Sequence, residues 1–329
     1  MHKILVLLES SKNQVSSVGL ELVSEVNRQT ENIDDVMVDA LYLGEKLSDE
    51  SLLDLHKVGV DTLYLMFDSK LKHYDTQIYS KNIMKFLEKN TYDVMLLGST
   101  LMGRDLAPRI SARIHTGLTA DATILEFKNE DERLILEATR PALGGNIFAT
   151  IICPNHIPQM ATIRPNVFTI EYSEKKKCNV VILPLLDDTH SDVEIISVRE
   201  NESDKVELSK ATFIVAGGRG VESKYQDLLK ISDYYDVEIA ASRAVVDAKV
   251  TSKSRLVGQT GQTVKPKGYV ALGISGAIQH VAGMDQSELV IAVNQDPCAP
   301  IFDVAHISLI TDANAVIDEL ILLGSTHRS

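Results

Sequence analysis

The chain has 329 residues, 44% of them apolar and 24% charged, which is long enough for two hydrophobic cores and excludes a disordered or fibrous class. A net charge of -13 opposes contact with phosphate backbones and argues against nucleic acid as the main partner. Cys153, Cys178 and Cys298 are far apart, with no Cys-x-x-Cys spacing for zinc or an iron–sulfur cluster, so no metal site is expected.

The opening "MHKILVLLES" carries too short an apolar run for a secretory core and lacks the Arg-rich character of a transit peptide. No other run approaches the ~18 apolar residues of a membrane span. The reading is a cytoplasmic protein with no membrane insertion.

Along the first hundred residues, β-rich runs at 4–8, 36–41, 62–66 and 94–97 alternate with stretches of helical spacing. Leu20, Val23 and Val26 mark one such stretch, and Ile83, Phe86 and Leu87 another. This βαβα order predicts a parallel sheet. "GRDLAPRISARIH" then sets Leu106, Ile110 and Ile114 on one helical face and Arg109 and Arg113 on another. From about Ile124 to Val198 short strands follow, at 134–138, 147–152, 159–163 and 180–183, separated by turn residues. "RENESDKVELSK" is polar and charged and marks a linker, so the expected domains are 1–199 and 211–329 with the linker at 200–210.

After the linker the alternation restarts. Strands are expected at 213–216, 237–241, 269–274, 289–293 and 306–310. A helix carries Tyr225, Leu228 and Leu229, and a last helix after Asp312 buries Val316, Ile317, Leu320 and Leu323. The fold class is therefore α/β in two domains: an N-terminal one with a parallel sheet and extra strands, and a C-terminal doubly wound, Rossmann-like one. Such a sheet binds ligands outside the carboxyl ends of its strands.

Four short stretches fall at those ends. "GGRG" (217–220) frees backbone N–H groups beside Arg219, which suits an anion, or is simply a tight turn with a solvated Arg. Ser242 and Arg243 close a strand as a hydroxyl and a guanidinium, or as a helix start with an ion pair. The loop containing "VGQTGQT" has no periodicity, and long loops inside compact domains tend to be functional. In "GISGAIQH", Ser275 is expected to cap a helix from Gly276 whose first turn would take a pyrophosphate. His280 at its end could equally satisfy the helix dipole. Asn294 and Asp312 read as strand-end turn residues. No G-x-S-x-G, no H-E-x-x-H and no close carboxylate pair advertises hydrolysis.

"GGRG", "ASRAVVD", "VGQTG", "GISGAIQH" and "VNQDPCAPIF", in that order, closely resemble the FAD-binding domain of the electron transfer flavoprotein alpha subunit. "GRDLAPRISARIHTGLTADAT" and "RPALGGNIFATIICPNHIPQMATIRP" resemble its first domain. The resemblance implies FAD as cofactor. Arg219 would lie at the nucleotide end of the flavin, with Ser242 and Arg243 beside the isoalloxazine ring. Val257, Gly258, Gln259 and Thr260 would wrap that ring, Thr260 donating to N5. Ser275, Gly276, Ala277, Ile278, Gln279 and His280 would cradle the pyrophosphate and bring His280 to the O2 edge, and Asn294 and Asp312 would meet the adenosine. Cationic and N–H groups there would favour the one-electron anionic form of the flavin.

The resemblance further implies a heterodimer with a beta subunit packed on the first domain, a hinge at the linker, and an acyl-CoA-type or other flavin dehydrogenase as redox partner. Such a subunit is a carrier of single electrons rather than an enzyme. The stretch 103–123 is closer to bifurcating, NADH-dependent relatives. Two other readings remain open at this point: a non-redox adenine-nucleotide-binding regulatory module, and a self-sufficient NAD-dependent oxidoreductase.

Overall fold

The computed structural model describes residues 1–142, 147–172, 178–187, 191–198, 206 and 208–326. Its contacts divide the chain into two compact units, Met1–Ile196 and Ser197–Ser329. Most of the linker expected at 200–210 lies outside the described residues; of it, Val206 and the single 3-10 turn Leu208–Lys210 are described.

The first unit opens with β1 (His2–Leu8), the two-residue strands β2 (Ser10–Ser11) and β3 (Gln14–Val15), and α1 (Ser17–Gln29). β4 (Val36–Gly44), α2 (Asp49–Lys57), β5 (Thr62–Phe67), α3 (Thr76–Lys89), β6 (Val94–Gly98) and α4 (Leu101–Ile114) continue the predicted alternation. Side-chain caps start three of these helices: Ser48 accepts from the N–H of Ser51, Asp75 from those of Gln77 and Ile78, and Thr100 from that of Gly103. The rest of the unit is β7 (Leu118–Ala122), β8 (Ile124–Glu130), β9 (Arg133–Ala142), β10 (Ile147–Ile151), β11 (Gln159–Ile163) and β12 (Asn179–Leu183).

A seven-stranded parallel sheet runs β12-β5-β4-β1-β6-β11-β7, and β8, β9 and β10 form a separate antiparallel sheet. The strands expected after residue 124 thus divide. β8 to β10 stay together, while β11 and β12 return to opposite sides of the parallel sheet. Covered on both faces, β1 is a continuous apolar run, with Ile4, Val6 and Leu8 in one core layer and Leu5 and Leu7 in the other. Each such side chain contributes about 1.5–3 kcal/mol of burial. β7 went unread in the sequence because "LTADA" is short and puts Asp121 at φ 60.

The second unit contains β13 (Phe213–Gly217), a 3-10 segment over Arg219–Lys224, α5 (Tyr225–Leu229), β14 (Glu238–Ala241), α6 (Arg243–Asp247), β15 (Gly268–Leu272), α7 (Ile278–Val281), β16 (Leu289–Asn294), β17 (Ile307–Ile310) and α8 (Ala313–Thr326). All five strands are parallel, in the order β14-β13-β15-β16-β17. One face is covered by Tyr225, Leu228, Val245 and Ile317, and the other by Val257, Val264, Met284 and Ile301. This is the doubly wound arrangement. β17 is an edge strand of this sheet whose residues are all exposed, Ile307, Leu309 and Ile310 among them.

Two local expectations are corrected. The strand expected over 269–274 ends at Leu272, because Gly273 turns the chain with φ +62. The helix expected from Gly276 is the single turn α7, with Ala277 rather than Ser275 before it and no side-chain cap. Gly276 sits at φ +89, which no helix start adopts, and a Cβ there would collide with the backbone nitrogen of Ile301. Among the described residues no helix is long and apolar enough to cross a membrane.

Candidate functional site

The strand order of the second unit is 2-1-3-4-5 in chain sequence, so its direction of growth reverses between β13 and β15. A doubly wound sheet opens its ligand crevice at that point, outside the carboxyl ends. A cavity of about 660 Å³ lies there, within the ~300–1,000 Å³ common for small-molecule sites.

The turns after β13 and β15 form one side. Gly218 N–H donates to the carbonyl of Leu272 at 2.8 Å and Gly220 N–H to that of Gly273 at 3.1 Å, so the two glycine turns are laced together under Arg219. Beside them, Ser242 N–H is held by the carbonyl of Gly217 at 3.0 Å, which fixes the start of α6 and carries Arg243 to the rim. The Arg243 guanidinium donates through Nε to Asp247 at 2.8 Å and through Nη1 to the Thr260 hydroxyl at 3.2 Å. Thr260 accepts in that bond, and its own proton remains available to a ligand.

The aperiodic loop is a compact knot. Gln262 N–H reaches the carbonyl of Leu256 at 2.7 Å, Gly261 N–H that of Gly258 at 2.9 Å, and Val257 N–H that of Ala241 at 3.1 Å. Gly258 has φ +138, and a Cβ on it would stand 2.6 Å from the carbonyl oxygen of Gln279. Gln259 N–H donates to that same oxygen at 2.7 Å. Loop 256–262 therefore rests directly on the 277–280 turn. Asn294 secures the other side, its amide donating to the carbonyl of Ile274 at 2.9 Å.

His280 is 6% exposed. Its Nε2 is 2.9 Å from the Tyr269 hydroxyl, while Nδ1 is buried beside the Val257 backbone with no partner at bonding geometry. Burial lowers its pKa from the ordinary 6.5 to about 4, against a small opposing effect of the Val257 backbone. At neutral pH the ring is uncharged, so it offers a dipole to the cavity and not the positive charge that the sequence suggests.

Of the residues singled out in the sequence, Arg219, Ser242, Arg243, Val257, Gly258, Thr260, Ser275, Ala277, Gln279, His280 and Asn294 line this one cavity. Four do not. Gln259 and Gly276 act through the backbone as described, and Ile278 is half exposed on α7. Asp312 accepts from the N–H of Asn314 at 2.9 Å, and that bond and the Asn314 amide hold its carboxyl below the usual range. Asn314 also donates to the carbonyl of Gly220 at 3.1 Å, which ties the start of α8 to the glycine turn. The lining further includes Gly220, Ala244, Leu256, Gly273 and Ile274. The glycines, Ala244 and Ile274 lay inside quoted motifs without being singled out, whereas Leu256 is an apolar residue with no signal beyond adjacency. The result is an apolar floor and a polar, cationic rim. Beside the buried neutral His280 the lining offers no second acid–base group. Among the described residues no group of three or more His, Cys, Asp or Glu side chains is placed to hold a metal ion.

At the reversal point of the first sheet, between β1 and β6, the chain supplies its own anion. The Thr100 hydroxyl, at the start of α4, donates to the Glu9 carboxylate at 2.7 Å, and burial raises the Glu9 pKa.

Comparison with known proteins agrees with this division. Residues 4–188 match the family profile of the electron transfer flavoprotein domain, and residues 207–285 that of the electron transfer flavoprotein FAD-binding domain. Protein FixB of Clostridium saccharobutylicum is 40% identical over 319 residues, 96% of this chain and 94% of that protein. The electron transfer flavoprotein subunit alpha of Clostridium acetobutylicum is 39% identical, over 96% of this chain and 95% of that protein. Lactate dehydrogenase (NAD(+),ferredoxin) subunit LctC of Acetobacterium woodii is 36% identical, over 97% of this chain and 76% of that protein. A two-unit α/β chain with a cavity at the reversal point of its second sheet, matched over nearly its whole length, belongs to the electron transfer flavoprotein family, among its alpha subunits and FixB proteins.

Proposed function

We propose that this chain is the alpha subunit of a heterodimeric electron transfer flavoprotein, binds FAD in the cavity of its second unit, and relays single electrons between a dehydrogenase and a second acceptor. One observation carries the reading: the two glycine turns, the loop 256–262 and two guanidiniums converge on one cavity at the reversal point of the sheet. The residues fit the group. An apolar floor of Leu256, Val257 and Ile274 suits a planar ring system, the rim guanidiniums suit its anionic edge and phosphates, and the buried ring of His280 stands at the wall.

Bound FAD supplies the redox chemistry. The chain binds, orients and tunes: Arg243 places positive charge at the ring, Thr260 has a hydroxyl proton to donate, and His280 contributes an uncharged polar wall. The naming of the relatives as subunits supports a second subunit, here the beta subunit, as partner. The cytoplasm is the compartment that fits free Cys153, Cys178 and Cys298.

Bifurcation is a second reading, favoured by the relative whose name couples NAD(+) and ferredoxin. Purification with the beta subunit and a count of flavins per heterodimer separate the two. A yellow complex with one flavin establishes the relay, and two flavins with NADH-driven reduction establish bifurcation. Colourless protein that refuses added FAD sinks both and leaves a non-redox nucleotide-binding module.

A further inference from the structure

The loop 256–262 is fastened at its base as well as on the 277–280 turn. The Gln262 side-chain amide donates to the carbonyl of Val206, 56 residues earlier in the chain, at 3.0 Å, and also to the carbonyl of Ser254 in the 3-10 turn Lys253–Arg255. Both of its N–H groups are thereby used. The backbone of Gln262 closes the loop at the same place: its N–H goes to the carbonyl of Leu256 at 2.7 Å, and its own carbonyl accepts from Gly258 N–H at 3.2 Å. One residue thus joins three pieces of chain, namely the loop, the turn before it and the end of the stretch expected as a linker.

That end is itself anchored. Leu208 is fully buried in the core layer that also holds Val257 and Val264, and Val206 and Ala211 pack against the same layer. Ala211 N–H returns to the carbonyl of Leu208 at 3.1 Å, and the carbonyl of Thr212, just before β13, accepts from Lys267 N–H at 2.8 Å. A purely local fastening of the loop would need only the Ser254 carbonyl. The bond to Val206 crosses to a distant segment, and the loop it secures carries Val257, Gly258 and Thr260 on the cavity wall.

We propose that Gln262 is a positioning residue that makes the end of the linker part of the ligand site: its amide ties the Val206 carbonyl to the base of the loop and so holds Val257, Gly258 and Thr260 at the cavity. The proposal rests on the flavin reading for the identity of the ligand. Coupling of this kind works in both directions, so a linker end that holds the loop in place is in turn held by a ligand under the loop.

Amide hydrogen exchange on the full chain tests this. In flavin-free protein, Gln262→Leu keeps the bulk and removes both donors, and it should speed exchange over 208–212 and 256–262 by roughly five- to tenfold, the worth of about one net hydrogen bond, while β15 and β16 stay unchanged. Gln262→Lys restores an N–H donor on a longer stem and should exchange like the unsubstituted chain. Unaltered exchange in Gln262→Leu, a rise spread evenly over the whole unit, or a Gln262→Lys protein as loose as Gln262→Leu each overturns the proposal. The reciprocal effect needs no variant, so poor folding of one cannot obscure it: FAD added to the unsubstituted heterodimer should slow exchange at 208–212 as well as at 256–262. Slowing confined to 256–262 overturns the coupling. Bound flavin should leave Gln262→Leu faster by a similar factor, read from its visible spectrum, and an equal release rate also counts against the role. Protein that takes up no FAD overturns the flavin reading alone, and exchange in the flavin-free chain still decides this one.

Discussion

Arg243 is held from two directions, by Asp247 one helical turn on and by Thr260 across the loop, yet its side chain is 61% exposed. An exposed i,i+4 pair of this kind is worth only about 0.3–0.5 kcal/mol, so Arg243→Ala should leave the melting temperature nearly unchanged. Under the proposed function its charge acts on the ligand. Loss of a guanidinium beside the ring disfavours the added electron, and the potential of bound flavin should fall by on the order of 59 mV, a tenfold change in a one-electron equilibrium. Spectroelectrochemistry of the FAD-loaded variant measures this, and an unchanged potential would reduce Arg243 to a structural role.

For His280 the sign of the pH effect follows from the direction of its shift. The folded chain resists protonating a ring that the unfolded chain protonates near the ordinary 6.5, so stability is lost as pH falls from about 6.5 toward 4. The loss is roughly 3 kcal/mol by the bottom of that window. Partly buried Glu9 and buried Glu21 and Asp39 have raised pKa values and act in the opposite sense, so the test is a difference. Urea unfolding of flavin-free protein at pH 7 and pH 4.5 should show a steeper decline for the unsubstituted chain than for His280→Gln. Arg219, Ser242, Arg243, Ser275 and Asn294 could be read in the sequence because they are polar residues at strand ends, where an apolar run makes them conspicuous, whereas Val257 and Ala277 came only with the resemblance. The contact of Tyr269 was hidden for the opposite reason: an aromatic inside an apolar strand reads as core, and only the structure shows its hydroxyl 2.9 Å from Nε2 of His280.

At the scale of elements, β1 and β13 were legible to within a residue or two because both faces of a parallel sheet demand a continuous apolar run, whereas β4, expected to end at Leu41, runs on to Gly44. The single-turn α7 was not legible, because its apparent cap, Ser275, precedes a glycine whose positive φ depends on the approach of Ile301, a long-range contact. The returns of β11 and β12 to opposite sides of one sheet are likewise set by pairing partners far away in the chain. The packing of loop 256–262 on the 277–280 turn gives a prediction of its own. Gly258→Ala must relax φ +138 and a 2.6 Å approach to Gln279 by moving the loop off the turn. The strain is about 1–3 kcal/mol, which appears as a roughly tenfold or greater loss of FAD affinity if the loop yields before the domain does. Titration with FAD followed by visible absorbance checks it, and unaltered affinity would show that the loop does not form the ring site.

On the scale of the whole molecule, the two units repeat one device with opposite results. Each sheet reverses direction at its first strand. The second opens a cavity there, whereas the first fills the position beside α4 with its own Glu9 carboxylate. The contrast agrees with the match of the second unit, over residues 207–285, to the FAD-binding domain profile.

The outer strand β17 has a consequence for handling the protein. Ile307, Leu309 and Ile310 are about half exposed along an edge strand that carries no charged residue between positions 307 and 310, a template for cross-β association. The isolated chain should self-associate with rising concentration and salt, as its net charge of -13 is screened. Leu309→Lys should suppress that growth in light scattering, and equal scattering by both proteins would place the sticky surface elsewhere.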